Sequence, residues 1–353
     1  MTGKSVTIRD LAQAAKVSIG TVSRALKGQP GLSDATRTAV LEVAQQLGYD
    51  VAKLRAAKPR RIVFLYHRHL FPLADNQFYS MVLQGAEDAC RDVDASLSLL
   101  SVAPGDDVAT GIRRHEADAL IGMGYFDHDT VSAMRACELP MVLVDHFHPG
   151  ARCINDDNLH GARAITQLLL DGGAQRPAMI IGPRAHHSVG LRAKGFRHAL
   201  FEAGRLADPD LEVTMDESLQ YEDSAREAMR QLLTLPQRPD AVFAYNDTTA
   251  LAAISVCEAA GLRVPQDLQV AGYDDIAAAA RSQPGLTTVR VDKGALGRAA
   301  VLALMEGDTQ PGDTLQPVEL VVRESTHPAD TPKHTPAHSL TPDQRQKKPR
   351  AGR

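Results

Sequence analysis

Tryptophan is absent from this 353-residue chain, and aromatic residues make up only 4% of it. Ring stacking on any ligand therefore falls to a few Phe and Tyr side chains. Cysteine is nearly as scarce: Cys90, Cys137, Cys153 and Cys257 are scattered, with no C-x-x-C spacing. That excludes a disulfide framework and a zinc finger and fits a reducing compartment. No apolar run approaches the roughly 18 residues of a transmembrane helix, and the opening Met1-Thr2-Gly3-Lys4-Ser5-Val6 lacks the apolar core of a secretion signal. The expectation is a cytoplasmic protein without membrane contact. Enzyme signatures are missing as well. There is no GxxxxGK[ST] loop, no GxSxG elbow and no HExxH, and Gly182-Pro183-Arg184 lacks dinucleotide spacing. No catalytic residue, cofactor or metal is therefore expected. What remains, 44% apolar and 23% charged residues, is the balance of an ordinary globular protein.

The net charge of −4 conceals an asymmetry. Residues 1–60 carry ten Lys and Arg against four Asp and Glu, a net of +6, which leaves −10 for the remainder. A basic head on an acidic body suggests that only the head meets a polyanion. The composition divides the chain into four parts: a helical head over 1–48, a basic connector over 49–61, a long region over 62–326, and a tail over 327–353. The tail holds five prolines among polar and basic residues and has too little apolar surface to order itself. In the long region, short apolar runs alternate with amphipathic stretches. Strands are expected at 62–66, 97–100, 119–122, 141–145, 178–181, 241–245, 268–272 and 287–291, with helical patterns between them. This is the pattern of buried parallel sheets covered by helices. Some 265 residues exceed one comfortable core, so two similar lobes with a cleft between them are expected, with ligands beyond the carboxyl ends of the strands.

The head reads as a helix-turn-helix. Thr7-Ile8-Arg9-Asp10 resembles a capping box. Ile8, Leu11, Ala12 and Ala15 follow at helical spacing, Lys16-Val17-Ser18 breaks the pattern, and a second helix over 19–26 buries Val22, Ala25 and Leu26. A third helix starts at the N-cap Ser33 and ends at Gly48. The second helix turns Ile19, Gly20, Thr21, Ser23 and Arg24 outward, where a recognition helix exposes its first turn to base edges. Arg24 can read guanine or hold a phosphate. Thr7, Ser18, Thr21, Ser33 and Thr36 are candidate phosphate donors near helix N-termini.

These residues carry a resemblance. Thr7-Ile8-Arg9-Asp10-Leu11-Ala12, Val17-Ser18 and Thr21-Val22-Ser23-Arg24-Ala25-Leu26 resemble the headpiece of the lactose repressor/galactose repressor (LacI/GalR) family. Downstream, Asp157-Asn158-Leu159-His160-Gly161-Ala162, Gly182-Pro183 with Ser188, Arg192 and Gly195-Phe196, Asn246-Asp247, Gly261-Leu262-Arg263-Val264-Pro265, Gly272-Tyr273-Asp274-Asp275 and Leu286-Thr287-Thr288 are similar to the family's further motifs, in order. The resemblance implies a small all-α headpiece followed by a two-lobed α/β, periplasmic-binding-protein-like domain with parallel sheets. It implies a homodimeric regulator of transcription on near-palindromic double-stranded operator DNA, controlled by a small effector, a sugar or nucleoside, held between the lobes. A solute-binding protein or a sugar-acting enzyme on the same lobes is the alternative.

Polar residues at strand ends supply the effector candidates: Asp145, Asn246 and Asp274, with Ser188 and Arg192 one helical turn apart. Phe78 and Tyr79, in Asn76-Gln77-Phe78-Tyr79, resemble the family's aromatic wall after the first strand, and Tyr125 and Tyr221 offer further ring faces. Asp247 is expected to cap the helix that begins there, and Asp157 and Asp275 are expected to be structural. Three histidine pairs, His67 with His69, His146 with His148 and His186 with His187, follow strands into the cleft region. A histidine contact would suit a polar or anionic ligand and would make effector affinity depend on pH between about 5.5 and 8.

The connector departs from the family. Where the family has Tyr-x-Pro-Asn-x-x-Ala-x-x-Leu, a hinge helix whose leucine wedges into the minor groove, this chain reads Tyr49-Asp50-Val51-Ala52-Lys53-Leu54-Arg55-Ala56-Ala57-Lys58. Either Leu54 serves as a shifted wedge, or Lys53, Arg55 and Lys58 only contact phosphates. The second reading is preferred.

Overall fold

A computed structural model of the chain describes residues 7–26, 32–47, 49, 58–68, 76–103 and 105–328. In the headpiece, α1 (Ile8–Ala14) begins at Thr7, whose hydroxyl accepts from the Asp10 N–H while the Asp10 carboxylate accepts from the Thr7 N–H. Two donors that would otherwise be orphaned at the helix start are thereby satisfied reciprocally. Lys16 turns the chain at φ 52°. Ser18 then caps α2 (Ile19–Leu26) by accepting from the Thr21 N–H at 3.1 Å, and Ser33 caps α3 (Asp34–Gln46) through the Thr36 N–H at 3.2 Å. Leu11, Ala12, Val22, Ala25, Leu26, Val40 and Ala44 form the shared core, with Val17 packed against it. Leu11, Ala12, Val22, Ala25 and Leu26 are apolar positions that the helical spacing picks out, and α3 adds Val40 and Ala44.

The body holds two parallel sheets. The first takes Gly312–Gln316, Arg152–Asp156, Met141–Val144, Ala119–Met123, Arg61–His67 and Ser96–Val102 in that order, and the second Glu212–Thr214, Pro177–Ile181, Ala241–Ala244 and Gln269–Ala271. In chain order the first lobe contributes β1 (Arg61–His67), α4 (Gln77–Asp92), β2 (Ser96–Val102), α5 (Val108–Arg114), β3 (Ala119–Met123), α6 (His128–Arg135), β4 (Met141–Val144) and β5 (Arg152–Asp156). The chain then crosses into the second lobe with α7 (Asn158–Asp171), β6 (Pro177–Ile181), α8 (His187–Glu202), β7 (Glu212–Thr214), α9 (Tyr221–Thr234), β8 (Ala241–Ala244), α10 (Asp247–Ala259), β9 (Gln269–Ala271) and α11 (Ala277–Arg281). After β10 (Thr288–Val291) it returns through α12 (Lys293–Glu306) and β11 (Gly312–Gln316) to the first sheet, then crosses once more as β12 (Val318–Val321), antiparallel to β10.

The alternation inside β1 shows how the layers form. Ile62 and Phe64 face the core under α4 and α12, whereas Val63 and Leu65 face a second cluster under α5 and α6. A strand buried on both sides is apolar throughout for this reason. Close contact of α4 and α12 depends on glycine: a Cβ on Gly297 would strike the Val82 carbonyl, and one on Gly85 the Gly294 backbone. The strands expected from apolar runs are present. β5, β7, β11 and β12 were not expected, because their sequences RCIND, EVT, GDTLQ and VELV mix polar residues into short runs. The hinge positions 53–55 lie outside the described residues, and Lys58 is exposed. Of the expected tail, His327 and Pro328 are described, and the His327 N–H donates to Gln269.

Candidate functional site

The expected nucleic-acid surface is the outward face of α2 and the helix starts around it. Ile19 is 51% exposed although it is large and apolar, and Gly20 is exposed beside it. The fold has room for a side chain at Gly20, since a Cβ would meet only Ser18 Oγ at 3.7 Å; the missing side chain leaves clearance for a partner rather than for the core. Ser18 Oγ and Thr21 Oγ1 lie 2.9 Å apart, and Ser33 Oγ and Thr36 Oγ1 2.8 Å apart. In each pair the serine oxygen already accepts from the backbone, so its proton can go to the threonine oxygen, and the threonine proton can then be directed outward. Thr7 differs: its hydroxyl donates to Asp10, which leaves it a cap first. Ser23 and Arg24 fall on α2, but their side chains lie outside the described residues.

The second site is a cavity of about 960 Å³ between the lobes, at the carboxyl ends of β4, β6 and β8. Of the eight expected effector residues, Phe78, Asp145, Ser188, Arg192, Tyr221, Asn246 and Asp274 line it. Tyr125 does not; its ring meets the edge of His146 instead. The floor is organised around Arg192, which is 3% exposed. Its guanidinium donates to Asp274 at 3.2 Å, to Asn158 Oδ1 at 2.7 Å and to the Tyr245 carbonyl at 2.7 Å, and it lies 3.7 Å above the Tyr273 ring. A buried charge needs this set of partners to offset its desolvation. Burial pushes the Asp274 carboxyl up to about 6, even though Arg192 and Lys293 pull it down. Burial, reinforced by Asp156, holds Asp145 well above the usual carboxylate range.

Asp274 has φ 106° and Asp145 φ 54°. These are left-handed conformations that a side chain adopts at a cost, and such strain clusters at functional sites. Asp145 Oδ1 and Ser224 Oγ are buried without a hydrogen-bond partner among the described residues. Both residues line the cavity, and each unmet group favours a ligand that can complete it.

The two lobes touch across this cavity. His186 of the second lobe places Nε2 3.1 Å from the Tyr79 hydroxyl and 3.5 Å from Asp145, both in the first lobe, while its Nδ1 lies 2.9 Å from Ser188 Oγ. Gln77 accepts from the Ala277 N–H at 3.0 Å, and Phe147 stacks on His187 with centroids 5.2 Å apart. Of the expected histidines, His186 lines the cleft. Burial pushes it down to about 3, and His146 down to about 4, so both are neutral near pH 7. His69 lies outside the described residues. His148 is spent on its own turn, where Nδ1 accepts from the Gly150 N–H.

Two expectations need adjusting, and one set of residues was missed. Asp247 is not the cap of α10. That role falls to Asn246, whose Oδ1 accepts from the Thr249 N–H and the Tyr221 hydroxyl. Only the amide nitrogen of Asn246 is thereby left for a ligand. Asp247 lies fully buried, accepting from the Thr288 hydroxyl and the Ile276 N–H. The structural roles expected for the other two acids are seen: Asp157 caps α7, and Asp275 pairs with Arg290 and Arg323. Tyr79, named with Phe78 as the aromatic wall, lines the cavity. Gln77, Asp156, Asn158 and Ser224 were not chosen from the sequence; Gln77 and Asn158 stood inside quoted motifs, whereas Asp156 and Ser224 gave no signal.

Comparison with known proteins bears on both sites. Residues 7–51 match the model of bacterial regulatory proteins of the lacI family, and residues 166–326 match a periplasmic binding protein-like domain. The chain is 33% identical over 323 residues to the ribose operon repressor of Escherichia coli (strain K12), covering 88% of this chain and 94% of that protein. Among solved structures it resembles a transcriptional regulator CelR–cellobiose complex (29% identity, TM-score 0.70, 91% of this chain and 99% of that one). It also resembles the lac repressor dimer bound to operator and the anti-inducer ONPF (27% identity, TM-score 0.66, 91% of this chain and 99% of that one).

Proposed function

The chain belongs to the LacI family of bacterial regulatory proteins, and from that membership we propose that it represses transcription by binding a near-palindromic operator as a homodimer, under the control of a sugar or nucleoside held between its lobes. The observation that carries the reading is the joining, on one chain, of an exposed first turn on α2 to a cleft floored by the Arg192–Asp274 pair. Ile19, Gly20 and Thr21 with Ser23 and Arg24 enter the major groove, and Thr7, Ser18, Ser33 and Thr36 stand at helix starts near phosphates. Lys53, Arg55 and Lys58 add phosphate contacts from an atypical connector over 49–61, without a leucine wedge. A large operator bend in circular-permutation gel shifts, abolished by Leu54→Ala, would refute that part.

In the cleft, Arg192, Asp274, Asp145, Ser188 and Asn246 hold hydroxyl groups, and Phe78 and Tyr221 supply ring faces. Coupling is by linkage: a ligand changes operator affinity only by binding one arrangement of the lobes better than the other. The His186 contacts with Tyr79 and Asp145 distinguish those arrangements, because they exist only where the lobes meet. No described helix is long and apolar enough to cross a membrane. We place the protein in the cytoplasm and assign it no enzymatic activity, a reading supported by relatives that are repressors. A solute-binding role is disfavoured because it has no use for the headpiece. The test is selection from random oligonucleotides with the full chain, together with thermal shift against sugars and nucleosides. A single enriched near-palindrome is expected, lost on removing residues 1–60, with ligand stabilisation kept. Enrichment of no site, with or without metabolite extract, overturns the function.

A further inference from the structure

The lining of the cleft is uneven in charge. Among the described residues that line it, Asp145, Asp216, Glu217, Glu222, Asp223 and Asp274 stand against two cations, Arg192 and Arg226. Both cations are engaged: Arg226 by Glu222 at 2.8 Å and Asp223 at 3.5 Å, and Arg192 by Asp274 at 3.2 Å. A cation already satisfied by carboxylates has little left to offer a ligand anion. Meanwhile the buried Asp145 Oδ1 has no hydrogen-bond partner among the described residues, and a carboxyl group, ionised or protonated, can pair with a ligand hydroxyl.

Building on the effector-cleft reading above, we propose that the cleft selects a hydroxyl-rich ligand carrying no anionic group and rejects the phosphorylated counterpart of the same ligand. A ligand hydroxyl completes Asp145, whereas a phosphate brought into the same cleft meets the exposed Asp216 and Glu217, which pair with no cation among the described residues. One feature favours anions and has to be weighed. Helices α8 and α9 both start at the cavity, and neither His186 nor Gln220 makes a side-chain cap bond, so the positive ends of two dipoles stand there without a side-chain cap. Both ends are already answered by acids of the chain. Glu222 and Asp223 occupy the first turn of α9, and Asp145 lies 3.5 Å from His186 at the start of α8.

The test measures the full chain by calorimetric titration and thermal shift with matched pairs: ribose and ribose 5-phosphate, glucose and glucose 6-phosphate, cellobiose and its 6-phosphate, adenosine and its 5′-monophosphate. In the pair that binds, the phosphorylated member is expected to bind at least about tenfold more weakly. The double variant Asp216→Asn, Glu217→Gln is expected to narrow that ratio, and an unchanged ratio overturns the electrostatic cause. Equal or tighter binding of a phosphorylated member overturns the proposal and leaves the effector cleft standing. If no member of any pair stabilises the chain, the effector reading itself fails and the proposal with it.

Discussion

The headpiece and the cleft use polar groups in opposite surroundings. At the starts of α1, α2 and α3 the polar residues Thr7, Ser18 and Ser33 are exposed, and each ties down its helix through one backbone bond. In the cleft Asp145, Arg192 and Asp274 are buried, and Arg192 and Asp274 are held chiefly by each other and by the backbone. Removing a surface cap costs one modest bond, because water replaces it. Removing one member of a buried charged set leaves its partners charged and dry. Binding groups and stability are therefore separable in the headpiece and entangled in the cleft.

Arg192→Ala presses this contrast hardest. It strands Asp274 and leaves Asp156 without its nearest cation, 3.9 Å away. Loss of one partner from a buried pair typically costs about 3–5 kcal/mol, so the body should melt far earlier in urea or heat, and ligand stabilisation should vanish. Arg192→Lys should rescue little, because a single ammonium cannot reach Asn158, the Tyr245 carbonyl and Asp274 together. If the alanine variant unfolds with the parent, the entanglement does not exist.

The next effect is a dependence on pH. The folded Asp274 carboxyl is displaced up to about 6 from its ordinary value of 3.8. The folded state therefore binds the proton more tightly than the unfolded state. By linkage, this group's contribution to stability is greatest below the unfolded value, falls as pH rises from about 4 to 6, and is flat above. Effector affinity that relies on the ionised carboxylate runs the other way and weakens as pH falls through about 6. His186 and His146, pushed down to about 3 and about 4, titrate below that range. The expected pH dependence therefore belongs to an aspartate and not to a histidine. Asp274→Asn should flatten it in calorimetric titrations between pH 5 and 8, and a midpoint near 6 that survives the substitution would return the role to another group.

The same contrast explains what the sequence could tell. Arg192, Asp274 and Asp145 were legible because motifs and strand ends mark them, and the headpiece was legible because its caps, core and exposed face all fall within a few residues of one another. Asp156, Ser224 and Gln77 were hidden, and Tyr79 was legible as part of an aromatic wall but not as a cross-lobe partner, because these roles appear only when distant segments meet. Tyr79 and His186 are 107 positions apart, and Gln77 and Ala277 are 200 apart. β11 was hidden for a similar reason. Its residues GDTLQ gain a strand's identity from pairing with β5, about 160 positions earlier, and not from any local apolar pattern.

A smaller effect is expected at the caps. Ser18→Ala and Ser33→Ala each remove an acceptor for a first-turn N–H and should cost about 1 kcal/mol of headpiece stability. Each also removes the hydroxyl that positions its threonine partner, so operator affinity should fall by more than the stability loss explains. Replacement by Asp should restore the cap but not the affinity, since a carboxylate beside a phosphate repels it. Equal recovery of both by Asp would show that these serines act on DNA only through the fold.

The smallest effect on stability, and the cleanest separation, is expected from Ile19→Ser. Ile19 is half exposed at the first position of α2 and is not part of the headpiece core. A solvent-facing substitution away from caps and core changes stability by no more than about 0.5 kcal/mol, and serine is adequate at the first turn of a helix. If Ile19 packs on base edges in the major groove, its loss removes an apolar contact to a thymine methyl and should weaken the preferred site by about 1–3 kcal/mol, with nonspecific binding unchanged. The measurement pairs a melting curve of the full chain with gel-shift titrations on the selected site and on scrambled DNA at one salt concentration. An unmoved melting curve with affinity lost only on the selected site assigns Ile19 to reading. Equal loss on both DNAs would make it a backbone contact, and a lowered melting temperature would mean that α2 hides in the full protein what it exposes here.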